Sequence, residues 1–190
     1  LALRSASAKT KAQRPPNVLF IITDDQELDS FGFIRKQSLT PLIDRLSAEG
    51  VNFSRAYASS SVCTPSRYTF LTGLYASRSQ VKKFTRGISP EGQTWVHWNS
   101  DLAQAESNIA KLLRKHGYVT GIVGKLHGFE LPGHHPSINR KADPHDPEVD
   151  RILKQDQQRF AQELKQHGFD YAAHLHRGNL GSGRSIPLPL

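Results

Sequence analysis

The 190-residue sequence contains no methionine, one cysteine and two tryptophans. A single thiol cannot build an intrachain disulfide framework, so the cysteine count says nothing for or against secretion. With no methionine even at position 1, the chain reads as a processed product or a fragment. No apolar run approaches the ~20 residues needed to cross a bilayer, so no membrane span is expected. Acidic residues are in the minority, 17 against 25 Lys and Arg, which leaves a net charge of +8. That balance suits anionic partners. No helix-turn-helix, zinc-finger or RNA-binding signature accompanies it, so nucleic acid is not the expected partner. Internal repeats are also missing. What remains is 37% hydrophobic with a mean hydropathy of −0.51, a globular composition with polar loops. The length fits one domain or part of a larger one.

Residues 1–16 are basic, rich in Ser and Ala, and closed by Pro15-Pro16. They read as a flexible leader. Ala6-Ser7-Ala8 has the small-x-small form of a signal-peptide cleavage site, and an ordinary disordered terminus explains it equally well. From residue 17 onward the pattern alternates apolar runs with helical stripes, which predicts an α/β fold. Residues 18–22, Val-Leu-Phe-Ile-Ile, form a continuous apolar run that suits a central strand covered on both faces. The run stops at Thr23-Asp24-Asp25. Two adjacent carboxylates at a strand C-terminus sit where open α/β sheets bind ligands. They are the oxygen donors a hard cation such as Ca²⁺ or Mg²⁺ requires. Taken alone they read as a solvated turn.

Thr40-Pro41 predicts a helix start, Leu42, Ile43 and Leu46 its apolar stripe, and Gly50 its stop. Residues 51–57 read as a short strand. The lone cysteine follows in Ser61-Val62-Cys63-Thr64-Pro65-Ser66-Arg67, with Leu71-Thr72-Gly73 behind it. Pro65 suits the first turn of a helix, where its missing N–H costs nothing. Cys63 would then sit just before a helix N-terminus, whose unsatisfied N–H groups favour an anion. Arg67 lies one turn further on. Apart from the pattern, a lone cysteine commonly packs as a small hydrophobe.

Residues 78–101 are polar and irregular. Trp95, His97 and Trp98 among them could line a sugar site, or pack the loop against the body. Ser107 or Asn108 predicts the cap of a helix through Ile109, Leu112 and Leu113, ended by Gly117. Residues 118–123 read as the next buried strand, which ends in Gly124-Lys125-Leu126-His127. Lys125 and His127, two apart at a strand end, would point into the same crevice as the carboxylates. His134, His135 and His145 have no helical spacing or cysteine partners for a zinc site. Residues 150–167 predict an amphipathic helix with Ile152, Leu153, Phe160 and Leu164 inward, stopped by Gly168. The tail from Phe169 shows turns and no closing element.

Cys63-Thr64-Pro65-Ser66-Arg67 with Leu71-Thr72-Gly73 in register resembles the signature of the type I sulfatases, formylglycine-dependent sulfate ester hydrolases of the alkaline phosphatase superfamily. Asp24-Asp25, the 40–53 helix and strand, and Gly124-Lys125-Leu126-His127 resemble other parts of that family over roughly residues 15–130. Gly168-Phe169-Asp170-Tyr171 is a fainter echo. The resemblance implies a mixed, mostly parallel sheet flanked by helices, with residues 17–190 as the N-terminal part of a truncated catalytic domain. It implies that Cys63 becomes formylglycine through a formylglycine-generating enzyme, and that Asp24, Asp25 and the converted Cys63 bind Ca²⁺, with Mg²⁺ as the other choice. Arg67 would support the nucleophile, Lys125 would contact sulfate, and His127 would take a proton. The residue between lysine and histidine is often tryptophan in relatives and is Leu126 here. The implied substrate is a sulfated small molecule or polysaccharide, and the implied compartment is secreted or periplasmic, lysosomal in a eukaryote.

The family's later metal and sulfate ligands are not assignable in this chain, so the 190 residues alone are expected to be inactive. Two other readings stay open. One is a phosphonate monoester or phosphodiester hydrolase of the same superfamily. The other is a non-catalytic basic fragment that binds polyanions.

Overall fold

The computed structural model describes residues 15–89, 91–92, 95–131, 142–143 and 145–176. The chain forms two compact units, Leu1–Ser54 and Arg55–Leu190. The leader, His134, His135 and the last fourteen residues lie outside the described residues.

The first unit is organised by polar contacts. A single 3₁₀ turn, Leu28–Ser30, precedes helix α1, Pro41–Glu49. Pro41 opens the helix and Gly50 closes it, its N–H donating to Leu46 O at 2.9 Å. Both ends agree with the sequence. Thr40 holds the capping position without capping the backbone. Its hydroxyl donates to Asp44 Oδ1 at 2.7 Å and accepts from the Gly32 N–H at 2.7 Å. The Phe33 N–H donates to the same Asp44 oxygen at 3.1 Å. Gly32 is needed there, because a Cβ would stand 2.5 Å from Asp44 Oδ2 and 2.7 Å from Ser38 O.

The strands predicted at residues 18–22 and 51–57 do not form. Their apolar side chains are open to solvent, Leu19 to 83%. The stripe of α1 is exposed too. An apolar run announces that a strand would be buried, but a strand exists only where a neighbour completes its ladder. Among the described residues the only sheet is formed elsewhere, by two other segments.

The second unit contains the sheet and the core. Helices α2 (Cys63–Thr72), α3 (Lys82–Thr85) and α4 (Ile109–Lys115) precede strand β1, Gly121–Lys125. Helix α5, Pro147–Gln166, then crosses to strand β2, Tyr171–His176, which pairs parallel with β1. This is an α/β arrangement built on a βαβ crossover. Asn108 is the cap of α4, its Oδ1 accepting from Lys111 N at 3.0 Å. Helix α5 begins three residues earlier than predicted, because Asp146 accepts from the Glu148 and Val149 N–H groups and Pro147 fits the first position. Ile152, Leu153, Phe160 and Leu164 are buried as expected.

β2 falls in the stretch predicted to be an open tail. Its sequence, Tyr-Ala-Ala-His-Leu-His, has no β-branched residue to announce it. Pairing supplies the strand. The Asp170 and Tyr171 N–H groups donate to Thr120 O at 2.9 and 3.0 Å, and Asp170 Oδ2 accepts from Thr120 N at 3.0 Å, setting the register where β1 begins. Tyr68, Leu102, Ala110, Leu126, Phe129, Phe160, Leu164, Phe169 and Leu175 make one contiguous core that joins α2, α4 and α5 to the sheet.

Candidate active site

Cys63 is the first residue of α2 rather than the residue before it. Val62 stays extended, and its carbonyl accepts from Ser66 N at 3.2 Å, closing the first turn. Pro65 lies in that turn and is buried with Thr64. The helix stops at Gly73, whose φ of 72° is left-handed and whose N–H donates to Thr69 O at 2.8 Å. Cys63 thus sits at the positive end of a ten-residue helix, half-buried.

β1 delivers the second group. Lys125 ends the strand, and the Leu126 N–H donates to His176 O at 2.8 Å. Leu126 is buried in the core, so it is not a pocket wall. The chain then turns at His127 and Gly128. Gly128 has φ +104°, and a Cβ there would lie 3.3 Å from Arg67 Cβ and 3.6 Å from Thr64 O. Only glycine lets the turn press so closely on α2. The result is a contact across 64 residues: Cys63 Sγ lies 3.1 Å from His127 Nδ1. The tautomer decides which atom donates.

Two supports hold this contact from behind. Leu102 N donates to Gly128 O at 2.8 Å and Leu102 O accepts from Glu130 N at 3.1 Å, while Phe129 packs edge-on against His167 and Phe169. On the helix side, buried Tyr68 donates to Glu106 Oε1 at 2.6 Å, and Glu106 Oε2 accepts from the Ala103 N–H at 2.6 Å. Burial, with the Glu106 carboxylate beside it, pushes the Tyr68 phenol well above its usual range. Tyr68, Glu106 and Gly128 were missed by sequence reasoning. The available signal was a glycine directly after Lys-x-His.

His167 lies under the same loop, 1% exposed, with Nδ1 lacking a hydrogen-bond partner among the described residues. Burial lowers its pKa to about 4, helped by the Lys111 charge and opposed by a hydrogen bond with the Glu130 backbone.

The other predicted residues are placed as follows. Arg67 is one turn along α2 from Cys63 and half-buried. Lys125 is two residues before His127 and half-buried. Asp24 and Asp25 belong to the first unit, at an exposed bend where Asp25 takes φ 53°. Carboxylate oxygens are hard donors of the kind Ca²⁺ takes. No group of three or more His, Cys, Asp and Glu side chains arranged for a metal occurs among the described residues. At Cys63, an oxygen-bearing side chain in place of the thiol would meet a ring nitrogen at hydrogen-bonding range, so the position fits a formylglycine.

A family model described as Sulfatase matches residues 16–177. Among curated proteins, human arylsulfatase D is 36% identical over 131 residues, which is 67% of this chain and 21% of that protein. Mouse steryl-sulfatase is 38% identical over 66% of this chain and 21% of its own length. The N-acetylgalactosamine-6-O-sulfatase of Bacteroides thetaiotaomicron is 39% identical over 63% of this chain and 23% of its own length. The chain therefore spans about a fifth of these relatives. A solved structure described as Ps i-CgsB is 25% identical, with a TM-score of 0.47, over 84% of this chain and 27% of that one. No described helix is long and apolar enough to cross a membrane.

Proposed function

This chain belongs to the sulfatase family, and on that premise we propose that it carries the nucleophile-bearing part of a sulfuric ester hydrolase. The observation that supports the reading most is the 3.1 Å contact between Cys63 Sγ and His127 Nδ1 at the start of α2. Cys63, converted by a separate oxidising enzyme to a formylglycine, supplies in its hydrated form a hydroxyl nucleophile for the ester sulfur. Asp24 and Asp25 are the residues that would hold a divalent cation, which would supply Lewis-acid polarisation of a sulfate oxygen and a lowered hydroxyl pKa.

The remaining work belongs to this chain's own side chains. His127 Nδ1 faces the reacting side-chain atom of residue 63 and is the group to hold or accept its proton. Lys125 and Arg67 bring two positive charges to elements that meet at the 127–128 turn, where they balance the charge of a sulfate. The N-terminus of α2 adds its partial positive charge. Gly128 keeps the turn seated on the helix. Among the relatives, one is named for a sterol sulfate and another for a sulfated amino sugar, so a sulfated sterol or saccharide is the proposed substrate class, and export the proposed compartment.

The reading is tested by coexpression with a formylglycine-generating enzyme, followed by mass spectrometry of the tryptic peptide of residues 56–67. The thiol is expected to be replaced by an aldehyde, and only unmodified cysteine would overturn the reading. In a protein that contains this chain and turns over an aryl sulfate, His127→Ala is expected to lower kcat on the order of 10²-fold, the usual worth of a positioned acid or base. Asp24→Asn and Asp25→Asn are each expected to weaken Ca²⁺ binding. The 190 residues by themselves are expected to show no useful turnover.

A further inference from the structure

His167 directly follows helix α5, and its backbone is fixed by its neighbours. Asn108, the cap of α4, donates from Nδ2 to His167 O at 2.9 Å. The next carbonyl, Gly168 O, accepts from the Thr120 hydroxyl at 2.5 Å, just before β1. Gly168 has φ +98°, and a Cβ there would lie 2.7 Å from Lys111 N, so α4 presses directly on this corner. The imidazole therefore stands on a post tied to α4, α5 and the start of β1. From that post it reaches the turn that carries His127. Its centroid lies 5.2 Å from that of Phe129, with the rings edge-on at 80°. It also shares a hydrogen bond with the Glu130 backbone. Glu130 N is already given to Leu102 O at 3.1 Å, so the partner is the Glu130 carbonyl and the ring is the donor. Nδ1 has no partner among the described residues, which makes Nε2 the donor and leaves Nδ1 with its lone pair. Burial, and then the Lys111 charge, keep a second proton off the ring. An apolar side chain would fill this place without a buried, unpaired nitrogen. What the imidazole adds is its grip on Glu130.

We propose that His167 is a positioning residue for His127: by holding Phe129 and Glu130 it sets the 127–130 turn where His127 Nδ1 meets the side chain of residue 63. The proposal rests on the sulfate-ester reading above for its catalytic consequence, and it names what sets the geometry of the proton acceptor. The contacts run without a gap. His167 touches Phe129 and bonds Glu130. A Cβ on Gly128 would lie 3.3 Å from Arg67 Cβ, and His127 Nδ1 lies 3.1 Å from Cys63 Sγ. Gly128, at φ +104° and without a side chain, gives the turn freedom as well as room. The residues just beyond it must therefore be held if His127 is to stay in place. Phe169 also packs on Phe129, but a hydrocarbon contact resists sliding less than a hydrogen bond with a fixed direction. Precision matters here, because a displacement of about 1 Å at a reacting group costs on the order of 10²-fold in rate.

Cys63 is the only cysteine in the chain, so alkylation by iodoacetamide reports on this position alone. The test is the alkylation rate of the unconverted chain at pH 7, with and without His127→Ala, in four backgrounds: wild type, His167→Leu, His167→Gln and Leu153→Ala. His127 takes the thiol proton and the thiolate is the species that reacts, so in the wild type His127→Ala is expected to slow alkylation roughly 10-fold. In His167→Leu the same substitution is expected to change the rate by less than about 2-fold, a coupling between two residues. His167→Gln keeps a donor for the Glu130 carbonyl and is expected to recover part of the His127 effect. Leu153 is buried on α5 but outside the cluster that holds Phe129, so Leu153→Ala lowers stability without touching the turn and is expected to leave the effect whole. Circular dichroism checks that each variant is folded at the assay temperature. No effect of His127→Ala in the wild type, the same effect with His167→Leu, no recovery with His167→Gln, or an equal loss with Leu153→Ala would overturn the proposal. Alkylation needs no aldehyde, so failure to convert Cys63 or to hydrolyse an ester counts against the sulfatase chemistry alone, and an uncoupled rate counts against the role of His167 alone.

Discussion

The two units of this chain are ordered by different forces. Every buried apolar side chain among the described residues lies between Pro65 and Leu175, in the second unit. In the first unit the described apolar residues are exposed or half-exposed, and the order around α1 comes from Asp44, Thr40 and the backbone of Gly32 and Phe33. Hydrogen bonds fix a local shape, with a net worth of about 1 kcal/mol each. Burial supplies the larger, cooperative term. Cys63 and His127 are built on the second kind of order, and the Asp24-Asp25 pair stands on the first.

Core truncation tests this contrast most severely. Phe160→Ala removes a ring that is 1% exposed at the junction of α5 with the sheet, and its cost is expected to be about 3–5 kcal/mol. Leu42→Ala on α1 is expected to stay within ~0.5 kcal/mol, since its side chain is already in solvent. Urea unfolding followed by circular dichroism reads both, and equal costs would erase the distinction between the units.

Acid sharpens it next. His167 is neutral in the folded second unit, with a pKa of about 4, while an unfolded histidine takes its proton near 6.5. As pH falls below 6.5 the unfolded chain binds the proton first. The histidine's contribution is therefore fully present above pH 6.5 and is lost progressively down to about 4, a change of roughly 3 kcal/mol. His167→Leu is expected to flatten the urea midpoint across that window. A wild-type midpoint that does not move between pH 7 and 4 would contradict the buried neutral imidazole.

The smallest effect belongs to the polar clasp. Asp44→Ala removes the acceptor of the Thr40 hydroxyl and the Phe33 amide, for about 2 kcal/mol at most. Faster hydrogen exchange is expected at the Gly32 and Phe33 amides, with the amides of β1 and β2 unchanged. Exchange that spread into the sheet would mean the first unit contributes more than local order.

Helix ends were legible in the sequence because capping is local chemistry. Pro41, Gly50 and Asn108 each act within a few residues of where they stand. The early start of α5 was legible too, had Asp146-Pro147 been weighed as a cap. Strands were legible only in part, since a ladder needs a second chain segment: residues 118–123 read as a strand, and β1 forms at Gly121–Lys125. The run at residues 18–22 forms no strand among the described residues, while Tyr171–His176 looked like a tail and pairs with β1.

The sequence by itself determined the residue types of the candidate site in the second unit: a lone cysteine before Pro65, an arginine one turn on, and a Lys-x-His ending an apolar run. Those are matters of composition and short spacing. That Cys63 and His127 meet at 3.1 Å was decided only by the tertiary structure. The contact depends on a positive φ at Gly128, on the absence of a side chain against Arg67 and Thr64, and on a buried Tyr68–Glu106 pair that holds the helix from behind. The exposure of Trp95 and Trp98 was decided the same way. A sequence names an aromatic residue, but only packing settles whether its face meets the core or the solvent.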